Sequence, residues 1–283
     1  MTEKKAVVIT GASTGIGETS ALYLEKMGFR VLAGVRKKAD GDRLVQAASG
    51  EVEPLLLDVT DGNTISAAAE MVAGAVGDGG LAGLVNNAGI TLNGTLEFIT
   101  LDDLREQLEV NLIGQVAVTQ AFMPLLRRAS GRIVNMGSIS GRLAAPLMGP
   151  YAMSKFALRA FNDSLRRELH SWGIEVSLVE PGAIATPIWE KGKNRAIARF
   201  KDSDEQKREL YATLFSAVRD AAAKASDDAI PAEEVAKVIH HALTAPKPRT
   251  HYLVGNDAKW TARFVWLLPD RAFDWLIRKH LGL

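Results

Sequence analysis

The sequence predicts an α/β protein built on one doubly wound, mostly parallel sheet. Short apolar runs of about six residues alternate with stretches of helical periodicity, the pattern of strands joined by crossover helices. The runs are nearly continuous, as expected for strands buried on both faces. No stretch rich in Pro, Gly or Ser divides the 283 residues, so one domain is predicted.

Seven strands are predicted, at residues 5–10, 30–35, 52–57, 81–85, 131–137, 174–179 and 251–254. Gly28 occupies the position of a glycine that ends a helix before the second strand. Thr100-Leu101-Asp102-Asp103 has the form of a capping box. It predicts the start of a long helix towards Arg128, which Pro124 is expected to bend. Residues 150–172 predict another long helix.

Composition excludes several classes of protein. The absence of Cys excludes disulfides, thiolate nucleophiles and Cys-ligated metal sites, and fits a reducing compartment. A formal net charge of +1 gives no support to a nucleic-acid surface. The five His form no cluster with Asp or Glu, so no metal site is predicted. Neither a secretory signal nor a run of about 18 apolar residues occurs, and a cytoplasmic location is expected.

A glycine-rich loop follows the first strand and opens a helix, Thr10-Gly11-Ala12-Ser13-Thr14-Gly15-Ile16-Gly17. Glycines here permit a tight turn and close approach of the backbone to a pyrophosphate. The helix beyond offers free N–H groups and the positive end of its dipole. The spacing G-x-x-x-G-x-G differs from G-x-G-x-x-G. An ordinary strand-to-helix turn is the alternative, although the position after the first strand favours phosphate binding.

The residues after the second strand bear on the choice of dinucleotide. Val35 is followed by Arg36, Lys37 and Lys38. An acidic residue there would bind the 2′-hydroxyl of the adenosine ribose, whereas Arg36 can pair with a 2′-phosphate, and Ser13 can add a hydroxyl. The sequence therefore favours NADP(H), with NAD(H) retained if the basic turn is only solvated.

A phenol and an ammonium share one helix face in Tyr151-Ala152-Met153-Ser154-Lys155. The cation would lower the pKa of Tyr151 from about 10, so that the phenol could exchange a proton with an alcohol or carbonyl oxygen. Ser138 ends the fifth strand, and its hydroxyl could hold that oxygen, with Ser140 as a competitor. Asn111 is poorly suited to a helix interior. It indicates a packing amide, a helix kink or a residue that holds a relay water.

Together these motifs resemble the short-chain dehydrogenase/reductase family. The glycine loop, Asn86-Asn87-Ala88-Gly89, Asn111, Ser138, the Tyr151–Lys155 pair and Pro181-Gly182 occur in the family's order. The resemblance, especially to retinol, hydroxysteroid and 3-hydroxybutyrate dehydrogenases, implies a Rossmann-like fold with seven parallel strands. It also implies hydride transfer between a nicotinamide and a carbon that bears oxygen, in a homodimer or homotetramer.

The resemblance implies a role for each matching position. Tyr151 would be the acid and base, Lys155 would bind the nicotinamide ribose, Ser138 would orient the substrate oxygen and Asn111 would anchor a relay water. Besides Ser13 and Arg36, already assigned to the 2′-phosphate, the implied cofactor positions are Gly11, Thr14, Gly15, Ile16 and Gly17 in the glycine loop; Asp58, Val59, Asn86, Ala88, Gly89 and Val110 around the adenosine; and Tyr151, Lys155, Pro181, Gly182, Ile184 and Thr186 at the nicotinamide.

The substrate is predicted only by class. The loop after Ser138 is largely apolar, with Arg142 as its single charge, and Ile188 and Trp189 follow Thr186. A small hydrophobic alcohol or carbonyl compound of steroid, retinoid or acyl-chain type fits these residues if they face the cleft rather than the core.

Two segments stand outside the alternating pattern. Residues 183–226 are charged and helical and are expected to form a substrate lid on a catalytic domain at 1–257. Residues 258–283 form an amphipathic tail, expected to pack on the same domain or on a neighbouring subunit. A membrane surface is a second, less favoured partner for the tail.

A non-catalytic protein that senses NADP(H) is the alternative function. Such a protein would tolerate loss of Tyr151 or Lys155. Both are present together with Ser138 and Asn111, which favours an enzyme.

Overall fold

Seven parallel strands form the centre of the molecule in the computed structural model, which describes residues 4–202 and 205–283. They are β1 (Ala6–Ile9), β2 (Arg30–Val35), β3 (Val52–Leu56), β4 (Gly83–Asn86), β5 (Arg132–Met136), β6 (Glu175–Pro181) and β7 (His251–Val254). Within those ranges they make one sheet in the order β3-β2-β1-β4-β5-β6-β7. The predicted doubly wound α/β fold is confirmed.

Eleven α-helices in the described residues connect or flank the strands: α1 (Gly15–Lys26), α2 (Lys38–Ala47), α3 (Gly62–Val76), α4 (Leu101–Leu108), α5 (Gly114–Ala129), α6 (Gly149–Glu168), α7 (Pro187–Asp202), α8 (Glu205–Asp227), α9 (Ala232–Thr244), α10 (Asn256–Leu267) and α11 (Asp270–Leu281). Helix ends follow local chemistry. Gly28 lies beyond α1 with a φ of +90°, and the Thr100 hydroxyl caps α4 by accepting a hydrogen bond from the backbone N–H of Asp103.

Two apolar cores cover the two faces of the sheet. Because successive strand residues point to opposite faces, Val8 packs with α3 and α5, whereas Val7 and Ile9 pack with α1 and α9. Burial on both faces accounts for the nearly continuous apolar runs of the strands.

The strand order reverses between β1 and β4, which are neighbours although two strands separate them in the sequence. In open α/β sheets the crevice outside the carboxyl ends of the strands at such a reversal binds ligands. The glycine loop after β1 and the turns after β2, β4, β5 and β6 all open onto this edge.

The helix predicted from Leu101 towards Arg128 is interrupted, but not where Pro124 was expected to bend it. A π-helical turn at Glu109–Ile113 separates α4 from α5, and Pro124 lies within α5 without ending it. The turn contains Asn111, whose side chain bonds the backbone of Ile90 outside the helix. Single π turns of this kind are frequent at functional sites.

The predicted lid and tail are helical, with different boundaries. The segment predicted as a lid, which keeps that name below, corresponds to α7 and α8. Its residues 203–204, like residues 1–3 of the predicted catalytic domain, lie outside the described residues. The expected boundary between 257 and 258 falls inside α10, because that helix already begins at Asn256 and packs on β7. Helix α11 lies beside α8. Within the described ranges, no helix has the length and apolarity to cross a bilayer.

Candidate active site

A cleft of about 530 Å³ opens at the carboxyl edge of the sheet. Almost all of the predicted site residues line it: Gly11, Ser13, Thr14, Gly15, Ile16, Gly17, Arg36, Asp58, Val59, Ala88, Gly89, Val110, Ser138, Tyr151, Lys155, Pro181, Gly182, Ile184 and Thr186. Asn86 and Asn111 lie outside its lining. The tertiary structure thus brings together residues that are spread over 176 positions of the chain.

The glycine loop has the backbone geometry of an anion cradle. Gly15 has a φ of +60°, which disfavours any other residue. A side chain at Gly17 would collide with the carbonyl oxygen of Gly11. Thr14 precedes α1 but makes no side-chain hydrogen bond to it, so the first N–H groups of α1 remain available to a ligand. These features fit the pyrophosphate of a dinucleotide.

Two arginines follow β2, one on the cleft wall and one against the glycine loop. Arg36 is exposed on the cleft wall and has no hydrogen-bond or ion-pair partner among the residues described. Arg43, which sequence reasoning missed, donates to the carbonyl oxygen of Ser13 and pairs with Glu18. Its position on α2, remote in sequence from the glycine loop, carried no signal of this contact.

The side chain of Asn86 points away from the cleft, so the implied place of Asn86 beside the adenosine ribose stays a prediction that only its backbone could fulfil. Its side chain is fully buried. Its amide nitrogen donates to the Thr119 hydroxyl at 2.8 Å and to the Asn135 amide oxygen at 2.9 Å. Asn87 lines the cleft instead and donates to the carbonyl oxygen of Thr10 at 2.9 Å. Successive side chains point in opposite directions at the end of a strand, which is why the side chain of Asn87, rather than that of Asn86, lies at the cleft.

The Asn111 side chain connects the π-helical turn to the segment after β4 and to α6 through hydrogen bonds. Its amide oxygen accepts a hydrogen bond from the backbone N–H of Ile90 at 2.8 Å. Its amide nitrogen donates to the Ile90 carbonyl at 2.9 Å and to the Ser154 hydroxyl at 3.1 Å. Both amide hydrogens are therefore used within the protein. Of the three interpretations of Asn111, these contacts support the packing amide and the helix irregularity.

Tyr151 and Ser138 meet inside the cleft. Tyr151 lies in the first turns of α6 and its side chain is buried. Both side chains line the cleft, and Ser138 is near enough to the phenol to oppose the rise in the Tyr151 pKa that burial causes. Ser140, the competing serine, donates its backbone N–H to the Ser138 hydroxyl at 3.1 Å and so forms part of the turn. The Trp189 ring stands edge-on to Tyr151, with 6.0 Å between the ring centroids.

Burial controls the proton affinity of both members of the Tyr–Lys pair. The Lys155 ammonium donates to the Met136 carbonyl at 2.7 Å and lies 5.6 Å from the centroid of the Tyr151 ring. Burial lowers the pKa of Lys155 to about 8. Burial also raises the pKa of Tyr151 to about 12, against the opposing effect of Ser138. The expected lowering of the Tyr151 pKa is therefore not found, and the phenol holds its proton at neutral pH.

Only some of the apolar residues expected on the substrate side line the cleft. Ile188 and Trp189 of α7 line the cleft, whereas none of the apolar residues that follow Ser138 in its loop does. Three charged residues that sequence reasoning missed, Glu106, Lys191 and Arg195, also line it. Arg195 forms a bidentate ion pair with Glu106, with N–O distances of 3.0 and 2.5 Å, which joins α7 to α4.

Comparison with known proteins agrees with this geometry. The family model described as short chain dehydrogenase matches residues 5–196. The chain belongs to the short-chain dehydrogenase family.

Sequence alignments with relatives extend over nearly the whole length of this short-chain dehydrogenase. Retinol dehydrogenase 5 of Mus musculus is 38% identical over 95% of this chain and 86% of its own. The 17-beta-hydroxysteroid dehydrogenase type 6 of Bos taurus is 38% identical over 98% of this chain and 89% of its own. The predicted resemblance to the retinol and hydroxysteroid branch is confirmed.

Solved structures of the family include complexes with either cofactor. A short chain dehydrogenase from Burkholderia cenocepacia in complex with NADP has a TM-score of 0.72 and 25% identity, covering 99% of this chain and 98% of its own. A family member from Burkholderia phymatum in complex with NAD has a TM-score of 0.77 and 26% identity, covering 93% and 92%. The chain is thus an oxidoreductase of a family that acts with NAD(P) on alcohol or carbonyl groups.

Proposed function

We propose that this short-chain dehydrogenase transfers hydride between NADP(H) and a hydrophobic secondary alcohol or ketone, with Tyr151 as the acid and base. The single observation that carries the proposal is that Ser138, Tyr151 and Lys155 line one cleft, with the Lys155 ammonium 5.6 Å from the centroid of the Tyr151 ring.

The chain's own groups supply the proton chemistry. The bound nicotinamide supplies the hydride in reduction and accepts it in oxidation. In reduction, Tyr151 donates its phenolic proton to the carbonyl oxygen, and the Ser138 hydroxyl hydrogen-bonds to the same oxygen as negative charge develops there. Lys155 stabilises the phenolate that remains. A pKa of about 12 keeps Tyr151 protonated at neutral pH, which suits reduction.

The preference for NADP(H) is supported by the cations around the adenosine end of the cleft. Arg36 is exposed and without a partner in the described structure, and Arg43 binds the glycine loop at Ser13. A guanidinium that can pair bidentately with a phosphate suits the 2′-phosphate. No acidic side chain stands at the end of β2, where an adenosine 2′-hydroxyl would need one.

The hydrophobic substrate class is supported by the wall that α7 contributes. Ile188 and Trp189 line the cleft, and Trp189 stands edge-on to Tyr151, so that an apolar group beside the reacting carbon would be covered by these side chains. The relatives named as acting on retinol and on 17-beta-hydroxysteroids point to the same class.

Two measurements on the purified protein test the proposal. The first is a fluorescence titration with NADPH and NADH, in which tighter binding of NADPH is expected. The second is turnover of a panel of hydrophobic and polar ketones by the parent and by Tyr151→Phe. Equal turnover by both proteins would refute the role of Tyr151. Cofactor binding without turnover of any carbonyl or alcohol would favour the sensor.

A further inference from the structure

A partly buried cluster of charges lies beside the catalytic turn and takes no direct part in the proposed chemistry. We name it the Arg142 cluster, and it consists of Arg142, Glu180, His251 and Asp163. Arg142 and Glu180 form a bidentate pair, with Nε to Oε1 at 2.7 Å and Nη2 to Oε2 at 2.6 Å. His251 lies between two carboxylates, with Nδ1 3.0 Å from Glu180 Oε2 and Nε2 3.2 Å from Asp163 Oδ1.

Three members of the Arg142 cluster, Arg142, Glu180 and Asp163, belong to elements that carry part of the site. Arg142 follows the short 3-10 turn that Ser138 begins, and its backbone N–H donates to the Ile139 carbonyl at 2.9 Å. Glu180 lies in β6 directly before Pro181, which lines the cleft. Asp163 lies on α6, about three helical turns beyond the catalytic tyrosine.

The turn itself leaves little freedom between Ser138 and Arg142. The backbone N–H of Gly141 donates to the Ser138 carbonyl at 2.9 Å, and the Ser140 N–H donates to the Ser138 hydroxyl at 3.1 Å. Gly141 packs so closely on the backbone of Lys155 that a side chain there would come within 2.9 Å of the Lys155 carbonyl oxygen. Because these contacts hold the turn, a movement of Arg142 at its end is expected to displace the Ser138 hydroxyl at its start.

The energetics of the pair favour a geometric role. Glu180 is fully buried, and burial by itself would raise its pKa. Hydrogen bonds from His251 and Arg142 bring the pKa below its ordinary value, so Glu180 stays charged at neutral pH. Buried ion pairs give little stability compared with well-packed apolar residues of similar size. What two apolar residues in place of Arg142 and Glu180 could not supply is the fixed direction of the two hydrogen bonds, which holds the two elements in one relative position.

We propose that the Arg142 cluster positions the Ser138 hydroxyl against Tyr151 by locking the catalytic turn to the end of β6. Its members are positioning residues, since none of them touches the reacting atoms. The proposal rests on the proposed roles of Ser138 and Tyr151.

The test removes both charges of the pair, so that no buried charge is left alone, in Arg142→Met/Glu180→Met. The matched control is Arg30→Met/Glu53→Met, because Arg30 and Glu53 form a similar bidentate pair, at 2.6 and 3.0 Å, between β2 and β3 and away from the cleft. We expect kcat of the first variant, at saturating cofactor and ketone, to fall about 10- to 100-fold with little change in KM, as a misplaced group of this kind would cause. The control should keep its kcat.

A second readout does not depend on turnover. Amide hydrogen exchange at residues 138–142 should be faster in Arg142→Met/Glu180→Met than in the control variant. The comparison is made between variants that have equal melting temperatures, so that a difference in exchange reports on the turn and not on global stability. A kcat within about twofold of the control variant, or unchanged exchange in this turn, would overturn the proposal. If the double variant does not fold, Arg142→Lys decides, since a full kcat in that variant would overturn it equally.

The two proposals fail in different ways. If Tyr151→Phe leaves turnover of the parent protein unchanged, the proposed function is wrong, and the exchange measurement alone then decides whether the Arg142 cluster holds the turn. If Tyr151→Phe abolishes turnover while the double variant behaves like its control, only the positioning role is wrong.

Discussion

The sheet with its turns and the lid with the tail are held in place by different kinds of interaction. In the sheet region the groups proposed for the chemistry are buried and held by directional bonds, as in the contact of Lys155 with the Met136 carbonyl. The lid joins the rest of the protein partly through ion pairs between half-exposed side chains, such as Arg195 with Glu106. Exposed ion pairs contribute little each. The reaction geometry is therefore fixed more firmly than the wall that meets the substrate.

Burial shows the same contrast. Helices α8 and α11 contribute no buried side chain among the residues described, and Trp266 of α10 is 83% exposed. Elements with few buried apolar contacts open locally at low free-energy cost. We expect the lid to move during turnover while the catalytic turn and α6 stay fixed.

The strongest test of the buried region is Tyr151→Phe. Removal of the proton donor should lower kcat for ketone reduction by about 10²- to 10⁴-fold, with cofactor binding retained. Steady-state kinetics at saturating NADPH measure the effect. Tyr23→Phe is the control, because Tyr23 lies on α1 against His240 and away from the cleft. A similar loss in both variants would contradict the assignment.

Removal of the buried Lys155 ammonium should increase stability and decrease activity. At pH 7, Lys155→Met should raise the free energy of unfolding by about 1–3 kcal/mol, because it abolishes the desolvation that lowers the Lys155 pKa. The same variant should lose most of its turnover. Chemical denaturation measures the first effect, and Lys26→Met, at an exposed position of α1, is the control.

The pH dependence of that gain follows from the sign of the shift. The pKa of Lys155 is about 8 in the folded protein and 10.5 for the free group. Between these values the unfolded chain binds more protons, so the stability of the parent rises with pH. The advantage of Lys155→Met should therefore shrink from pH 8 upward and vanish above 10.5. A constant advantage across this range would rule out a lowered Lys155 pKa.

Cofactor preference should respond to a single charge at the adenosine end of the cleft. Arg36→Asp should lower the ratio of NADPH to NADH affinity by about 10- to 100-fold, the value of one charge-assisted hydrogen bond. Fluorescence titration with both cofactors measures the ratio. Lys38→Asp makes the same charge change two residues further on, outside the cleft lining, and should leave the ratio unaltered. An unaltered ratio in Arg36→Asp would remove the assignment of Arg36 to the 2′-phosphate.

The smallest effect is expected at the ion pair between lid and α4. Glu106→Gln should raise KM for the ketone by no more than about fivefold, since a half-exposed pair contributes up to about 1 kcal/mol. Asp102→Asn is the control, because Asp102 pairs with Arg105 on the same helix and does not reach the lid. A collapse of kcat in Glu106→Gln would show that the lid is fixed as firmly as the catalytic turn, and the contrast between the two regions would fail.

Sequence reasoning succeeded best for features that depend on neighbours along the chain. The ranges of β2 and β7 match their predictions, and Thr100 caps α4 as expected. It could not decide the direction of side chains. Asn86 and Asn87 are the same residue type in neighbouring positions, and only the tertiary structure shows that the Asn87 side chain lines the cleft. The interruption of the long helix fell at Asn111 rather than Pro124, because the amide binds the distant backbone of Ile90.

By itself the sequence determined the parallel sheet, the glycine loop and the Tyr151–Lys155 spacing, because apolar runs, backbone freedom of glycine and the period of a helix are local properties. The tertiary structure decided the raised pKa of Tyr151, since desolvation depends on everything packed around the phenol. It also decided the pairing of Arg142 with Glu180, 38 positions apart, and the approach of Arg43 to Ser13. Contacts between distant residues arise when strands and helices pack, and no pattern of neighbouring residues records them.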